Sequence, residues 1–206
     1  MIGVLILAGG EGRRMRGQDK GWCVRNNKAF IEVVLQQIQR QAERVAQTVT
    51  IVISANRNLP DYSNLGPPVV SDIRSGYCGP LAGIEAVMNE PSLSHINRWI
   101  TWPVDSLNIP DHYLLHMLAL ESEVSFISQH RRAHYAHLSI SKELKNSLSS
   151  YLDSKRNSIK GWLQSISHSG GEVHEVDISS YMSITNYNHF DTVNEHREME
   201  NNLMLR

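Results

Sequence analysis

The chain opens with a short, uninterrupted apolar run that ends in small residues. Residues 3–7 read Gly-Val-Leu-Ile-Leu, and Ala8, Gly9 and Gly10 follow directly. A run of this length without polar alternation is typical of a parallel strand that is buried on both faces. It favours an open α/β sheet, in which ligands bind beyond the carboxyl ends of the strands.

The order of the later segments supports the same fold class. Strand and helix alternate through the first ~120 residues, which predicts βαβ units and one α/β domain with a doubly wound, mostly parallel, Rossmann-like sheet. Trp99 and Trp102 lie on opposite faces of their strand if that strand is regular. The further predicted strands cover residues 50–54, 68–71, 99–103, 124–128, 137–141 and 172–177. The predicted helices cover residues 30–47, 79–88, 111–120 (capped by Asp111), 142–152, 157–167 and 191–203.

Composition excludes several classes of protein. Of the 206 residues, 41% are hydrophobic and 20% are charged, which is ordinary for a globular domain. The formal net charge of −1 argues against a general nucleic-acid or membrane-surface binder. The two cysteines are too few for us to expect a disulfide framework. The apolar start of the chain has no basic segment before it, so we do not expect it to be a signal peptide. We therefore expect a single cytoplasmic domain over residues 1–206, with no nucleic-acid or membrane partner.

Charge is nevertheless distributed unevenly along the chain. Residues 11–28 contain six basic and two acidic side chains, and residues 129–161 contain seven basic and two acidic ones. Two basic stretches in a nearly neutral protein indicate an anionic ligand, one with two anionic parts. For the second stretch, solvated helix faces are an equally good interpretation.

The glycine-rich segment after the first strand is the strongest functional feature. Its small residues let the backbone approach a ligand, and successive backbone N–H groups can form a concavity that binds anions. Arg14 and Lys20 can reach phosphate oxygens from the same segment. Met15 stands where a dinucleotide-binding fingerprint needs glycine or alanine, and Lys20 is followed by glycine rather than by the serine or threonine of a Walker loop. The segment therefore predicts a phosphate loop of another type.

Leu7-Ala-Gly-Gly10, Arg14-Met15 and Asp19-Lys20 together resemble the LAGGxSxRMGxDK pattern of the molybdenum cofactor guanylyltransferases. The resemblance extends along nearly the whole chain in the same order. The later segments that carry it are Ser54-Ala-Asn-Arg57, Ser71-Asp72, Gly79-Pro-Leu-Ala-Gly83, Pro103-Val-Asp105 and Asn186-Tyr-Asn188.

The resemblance implies a nucleotidyltransferase fold and a Mg²⁺-dependent reaction. Members of this family attach GMP from GTP to the terminal phosphate of molybdopterin and release pyrophosphate. Residues 1–120 would then form the nucleotide-binding half and residues 121–206 the acceptor-binding half. Transient contacts with the proteins that synthesise or receive the cofactor are also implied.

Site residues carry over from the family position by position. Lys20, assisted by Arg14, would neutralise the triphosphate, and Asp105 would bind Mg²⁺. The remaining nucleotide-binding positions are Leu7, Ala8, Gly9, Gly10, Ser54, Asp72 and Gly83. Asn186 and Asn188 match a pair associated with the pterin acceptor, although ordinary turn or edge asparagines fit these positions as well.

The chain departs from the family pattern at several positions. Gly12 replaces the serine of the loop, Arg16 replaces the glycine after Arg-Met, and Ser54 replaces an asparagine found in some members. These departures keep two alternatives open. One is a nucleotidyltransferase for another phosphorylated acceptor, such as a sugar phosphate or the cytidine form of the cofactor. The other is a non-catalytic nucleotide-binding adaptor in cofactor delivery.

Histidine spacing raises a further hypothesis. His130, His134 and His137 are spaced as metal ligands could be, but the interleaved Arg131 and Arg132 would repel a cation. We therefore expect this segment to bind an anion, with Arg131 and Arg132 contacting the acceptor phosphate.

Overall fold

The protein is described here from a computed structural model covering residues 1–10, 17–76, 78–180 and 184–186. Its helices, numbered along the chain, are α1 Phe30–Ala42, α2 Leu59–Ser63, α3 Pro80–Asn89, α4 Tyr113–Leu118, α5 Lys145–Asp153 and α6 Ile159–His168. Its strands are β1 Ile2–Leu7, β2 Val24–Arg25, β3 Lys28–Ala29, β4 Val49–Ser54, β5 Val69–Val70, β6 Arg98–Pro103, β7 Ser106–Asn108, β8 Val124–Gln129, β9 Arg132–Ser141, β10 Val173–Asp177 and β11 Thr185–Asn186. Short 3₁₀ turns occupy Lys20–Trp22, Pro91–Leu93 and Lys142–Leu144.

Seven of these strands form one sheet in the order β10-β8-β9-β6-β1-β4-β5. The pairings of β1 with β4 and β6, of β4 with β5 and of β8 with β10 are parallel. Strand β9 runs antiparallel to both of its neighbours, β6 and β8. The predicted α/β class with a mostly parallel sheet is therefore confirmed.

Helices cover both faces of the sheet because its central strands are apolar on both sides. Along β1, Val4 and Ile6 lie in a core formed with α1 and α4, whereas Leu5 lies in a second core formed with α3, α5 and α6. Trp102 belongs to the first core and Trp99 to the second, and both side chains are fully buried. The prediction that the two tryptophans lie on opposite faces is confirmed.

Helix α4 differs from its prediction at the start. It begins at Tyr113, and Asp111 does not cap it. The backbone N–H of Leu114 instead donates to Oε1 of Gln41 in α1, at 3.0 Å, while Asp111 is exposed and lies 3.6 Å from Arg44. A buried glutamine from another helix thus satisfies the helix start, which a local capping rule could not anticipate.

The other boundaries agree with the predictions to within a few residues, with two exceptions. Helix α1 ends five residues early, at Ala42, where backbone bonds of tighter spacing close its last turn. Strand β9 begins at Arg132 rather than at residue 137 because a register shift opposite Phe126 and Ile127 accommodates additional residues. The helix predicted at residues 191–203 lies outside the described residues.

The direction of strand β9 determines which loops lie at the edge of the sheet where β1 and β6 end. Because β9 is antiparallel to both neighbours, β8 runs in the same direction as β6 and β1. The β8–β9 turn therefore lies at the edge where β1 and β6 end. His130 and Arg131 make this turn with positive φ angles of 49° and 63°.

No helix in the described part of the chain is long and apolar enough to cross a membrane.

Candidate active site

Lys20 and Asp105 meet at the carboxyl edge of the sheet. The Lys20 ammonium lies 2.8 Å from Oδ2 of Asp105, and their side chains are 24% and 12% exposed. Asp105 follows β6, and its neighbour Val104 donates its N–H to the carbonyl of Leu7 at the end of β1. An amine and a carboxylate distant in sequence are thus brought into one partly open site beside the glycine-rich segment.

A buried polar network holds the chain just after Asp105. The Ser106 carbonyl accepts a bond from the indole N–H of Trp102 at 3.1 Å, and the Ser106 hydroxyl lies 3.0 Å from Nε2 of His137. Nδ1 of His137 lies 3.1 Å from the hydroxyl of Tyr113. Complete burial lowers the pKa of His137 to about 3, with His134 contributing a smaller effect, so the imidazole is neutral. These bonds fix the backbone of Ser106, the residue that directly follows Asp105.

His137 is therefore a structural residue, and the hypothesis that residues 130–137 bind the acceptor does not extend to it. Its side chain has no exposed surface, and both ring nitrogens have partners within the core. The described residues contain no group of three histidine, cysteine, aspartate or glutamate side chains placed to hold a metal ion.

Asp19 fixes the backbone immediately before Lys20. Its carboxylate is buried and accepts bonds from Tyr62 at 2.8 Å, from the Asn58 amide at 3.0 Å and from the Gly21 N–H at 3.1 Å. Burial and the charge of Asp19 together raise the pKa of Tyr62, which keeps its hydroxyl a donor. The Asp-Lys pair of the motif therefore combines a buried anchor with a partly exposed amine.

A second cluster joins the ends of β1, β4 and β5. Asn56 donates to the Asp72 carboxylate at 2.8 Å and accepts from the Asp72 N–H at 2.9 Å. The same Asn56 amide lies 3.4 Å from the carbonyl of Gly9. Burial raises the pKa of Asp72; the Asn56 bond opposes this and the charge of Glu85 adds to it. Asn56 thus holds a half-buried carboxyl group beside the glycine turn.

Gly83, in the first turn of α3, completes this cluster. A Cβ atom at Gly83 would lie 2.3 Å from Oγ of Ser54 and 3.6 Å from Oδ1 of Asp72. A Cβ at Gly9 would lie 3.0 Å from the Asn56 amide nitrogen and 3.7 Å from the Ser54 hydroxyl. A side chain at Gly83 would clash with the buried Ser54, and one at Gly9 would press against the Asn56 amide.

Three of the residues predicted to bind the acceptor, Asn186, Arg131 and Arg132, are described, and they lie along the same edge of the sheet as Lys20 and Asp105. Strand β11 pairs with β7, with Asn186 opposite Ser106 and thus one residue from Asp105 in register. Arg131 lies in the β8–β9 turn and Arg132 begins β9, and both are exposed. Arg14 and Asn188 fall outside the described residues.

One ion-pair network near the site was not anticipated from the sequence. Arg74, in the loop after Asp72, forms a bidentate pair with the buried Glu85 of α3 at 2.6 and 2.7 Å. It also reaches Asp153 at the end of α5, at 2.7 Å. These side chains are far apart in sequence or on different elements, and no spacing rule connects them. Asn56 and Arg57 both donate to carbonyls of the glycine-rich segment.

Comparison with known proteins gives this site its context. Residues 4–170 match the family model described as the MobA-like NTP transferase domain. A molybdenum cofactor guanylyltransferase from Mannheimia succiniciproducens is 38% identical over 155 residues, which cover 73% of this chain and 77% of the relative. A protein of the same name from Shewanella loihica is 33% identical over 165 residues, which cover 78% and 80% of the two chains.

Solved structures agree on the fold. Molybdopterin-guanine dinucleotide biosynthesis protein A from Archaeoglobus fulgidus superposes with a TM-score of 0.69 at 17% identity, covering 97% of this chain and 99% of that one. The 4-diphosphocytidyl-2C-methyl-D-erythritol synthase from Anaerococcus prevotii superposes with a TM-score of 0.69 at 12% identity, covering 100% and 96%. From the family match, the curated relatives and the shared fold, we conclude that this chain belongs to the MobA-like NTP transferase family, alongside the molybdenum cofactor guanylyltransferases, and is a nucleotidyltransferase.

Proposed function

We propose that the protein transfers GMP from GTP to the terminal phosphate of molybdopterin and releases pyrophosphate. The observation that carries this proposal is the 2.8 Å approach of Lys20 to Asp105 beside the glycine turn after β1. A cation and a metal-binding carboxylate at one edge of the sheet are what a triphosphate and its divalent ion require. The names of the curated relatives supply the base and the acceptor.

The reaction is an in-line attack by a phosphate oxygen of the acceptor on the α-phosphorus of GTP. The bond to the acceptor oxygen forms as the bond to the bridging oxygen of pyrophosphate breaks. A phosphate nucleophile is already ionised near neutral pH, so no general base is needed. Positioning two anions and neutralising their charge account for most of the catalysis.

Lys20 and Asp105 divide this electrostatic work. In the protein without substrate they neutralise each other. When GTP binds, Lys20 turns from Asp105 to the triphosphate, assisted by Arg14, and the Asp105 carboxylate becomes available as an oxygen ligand. Because both groups already lie at the site, this exchange needs little movement.

The donor set at Asp105 fits Mg²⁺. This ion is typically held by one or two carboxylates together with substrate phosphates and water, rather than by a complete protein cage. Asp105 is a single, partly exposed carboxylate at the proposed triphosphate site, and the described residues offer no cluster of three ligands that would suit zinc instead. When bound, Mg²⁺ would offset the negative charge of the triphosphate.

Guanine and ribose would lie against the cluster formed by Asn56, Asp72 and Gly83. Leu7, Ala8 and Gly9 would contact the nucleotide through their backbone, and Gly10 would shape the turn. Ser54, Asp72 and Gly83 would line the other side, where Gly83 packs directly against the buried Ser54 hydroxyl. The half-buried Asp72 carboxyl is placed to accept hydrogen bonds from the nucleotide.

The acceptor would lie on the β6–β8 side of the same edge. Asn186 pairs with the chain next to Asp105, and together with Asn188 it would bind the pterin. Arg131, in the β8–β9 turn, and Arg132, at the start of β9, would contact its phosphate. Residues 1–120 thus supply the nucleotide side and residues 121–206 the acceptor side. We expect a cytoplasmic enzyme that receives and passes on its labile cofactor through transient protein contacts.

Substrate identity is tested with labelled nucleotides and defined acceptors. Purified protein with Mg²⁺ is given α-labelled GTP, CTP or ATP together with molybdopterin or a sugar phosphate. We expect label transfer and pyrophosphate release only with GTP and molybdopterin. Transfer from CTP, or to the sugar phosphate, would replace the proposed substrates. Binding of GTP without pyrophosphate release would favour the adaptor.

A further inference from the structure

The loop between β4 and α2, residues 55–58, contacts both described ends of the glycine-rich segment. Arg57 provides most of these contacts. Its Nη2 donates to the carbonyls of Gly10 at 3.1 Å and Gln18 at 2.9 Å, and its Nη1 donates to the carbonyl of Gly17 at 2.8 Å. One guanidinium therefore joins the residues that enter and leave the segment.

These contacts have a consequence for the direction of the backbone N–H groups. In a planar trans peptide, the carbonyl of one residue points opposite to the N–H of the next residue. No described peptide bond is cis. Because the carbonyls of Gly17 and Gln18 face Arg57, the N–H groups of Gln18 and Asp19 face away from it. Backbone N–H groups turned outward are donors for phosphate, whereas carbonyls turned outward would repel it.

The same loop anchors the residue next to Lys20. Nε of Arg57 lies 3.9 Å from the Asp19 carboxylate, which also accepts the bond from Asn58. Arg57 is thus held by charge on one side while its remaining donors hold carbonyls on the other. Arg57 consequently links Lys20 to Gly10, in addition to the bonds that Asp19 accepts from Tyr62 and Asn58.

We propose that Arg57 is a positioning residue for the triphosphate, acting by turning the carbonyls of the glycine-rich segment away from the bound phosphates. The inference rests on the proposed function, because it assumes that the triphosphate occupies this segment. The planar fork of arginine is essential to the arrangement. An ammonium group at the same place keeps the charge but cannot reach three carbonyls in these directions.

The experiment measures binding of Mg²⁺-tripolyphosphate and of Mg²⁺-GTP by Arg57→Lys, Arg57→Ala and the unmodified protein. Tripolyphosphate has no base, so it reports on phosphate positioning alone. We expect both ligands to lose affinity by the same factor, on the order of tenfold or more, in both variants. Added guanidinium should restore much of the loss in Arg57→Ala. Arg40→Ala is the matched control, since Arg40 is exposed and bonds one helical carbonyl.

Several results would overturn the inference. Tripolyphosphate affinity in Arg57→Lys equal to that of the unmodified protein would show that charge alone suffices. An effect on GTP but not on tripolyphosphate would place Arg57 on the base side, and a lowered melting temperature that accounts for the whole loss would make it merely structural. Failure of GMP transfer to molybdopterin, with the Arg57 effects intact, would instead refute the proposed acceptor and leave the inference standing.

Discussion

At the scale of single residues, Gly83 is a position in the candidate site that cannot accept a side chain without movement of its neighbours. In Gly83→Ala, the new methyl group would lie 2.3 Å from the Ser54 hydroxyl oxygen, so the Ser54 side chain, α3 or β4 must shift. We expect a loss of about 1–3 kcal/mol in the free energy of unfolding, as for other overpacked sites, and weaker GTP binding. Denaturant unfolding and nucleotide titration measure the two effects.

The matched test combines Gly83→Ala with Ser54→Ala, which removes the clashing hydroxyl. The double variant should recover most of the stability lost by Gly83→Ala, and Ser54→Ala alone should remain close to the unmodified protein. Additive losses in the double variant would show that the Ser54 contact is not the cause.

His137 gives the folded protein a defined dependence on pH. Its pKa in the folded state is lowered to about 3, from an ordinary value of 6.5. Between these values the unfolded chain binds one more proton than the folded chain, so stability is fully present above pH 6.5 and falls as the pH is lowered. The expected slope from this residue is about 1.4 kcal/mol per pH unit.

Unfolding free energies measured from pH 6.5 to pH 4 test this expectation. His137→Gln can still form hydrogen bonds with Ser106 and Tyr113 but does not titrate, so its pH slope should be shallower by about one proton. His95→Gln, at an exposed position, should retain the original slope. Equal slopes for His137→Gln and the unmodified protein would contradict the assignment of a buried neutral imidazole.

At the scale of secondary-structure elements, the Arg74–Glu85 pair joins the loop after Asp72 to α3. Glu85 is 2% exposed, so Arg74→Met would leave a buried carboxylate without its cation. We expect Arg74→Met to cost about 3 kcal/mol of unfolding free energy, and Arg74→Met combined with Glu85→Gln to cost less than the sum of the single changes. A double-mutant cycle in urea measures both.

Arg44→Met is the control for that cycle. Arg44 also pairs with an aspartate, Asp111, but at 3.6 Å and with side chains 51% and 69% exposed. Loss of such a surface pair should change stability by less than about 1 kcal/mol. If Arg44→Met and Arg74→Met were equally mild, burial of Glu85 would not be the source of the effect.

The elements also show where sequence reasoning succeeds and where it stops. Continuous apolar runs predicted β1, β4 and β6, because strands buried on both faces need apolar side chains throughout. The predicted start of α4 was wrong because the Leu114 N–H is satisfied by Gln41 of α1 rather than by the adjacent Asp111. Capping rules describe local partners, and this partner is 73 residues away.

At the scale of the whole molecule, the site was predictable as far as topology dictates it. Lys20 and Asp105 could be placed together because both follow strands of a parallel sheet, and such strands end at one edge. The bonds of Arg57 to Gly10, Gly17 and Gln18 were not predictable in detail. They depend on how one loop turns over another, which strand order alone does not determine.

The central claim is that a triphosphate and its metal ion are held between Lys20 and Asp105. The most direct measurement is the single-turnover rate of pyrophosphate release from Mg²⁺-GTP with molybdopterin, in Lys20→Met and Asp105→Asn. Lys28→Met and Asp111→Asn, both at exposed positions, are the matched controls. We predict rates lowered by about 100-fold or more in the first two variants, as for loss of other transition-state charge contacts, and unchanged rates in the controls. A normal rate in either Lys20→Met or Asp105→Asn would contradict the account.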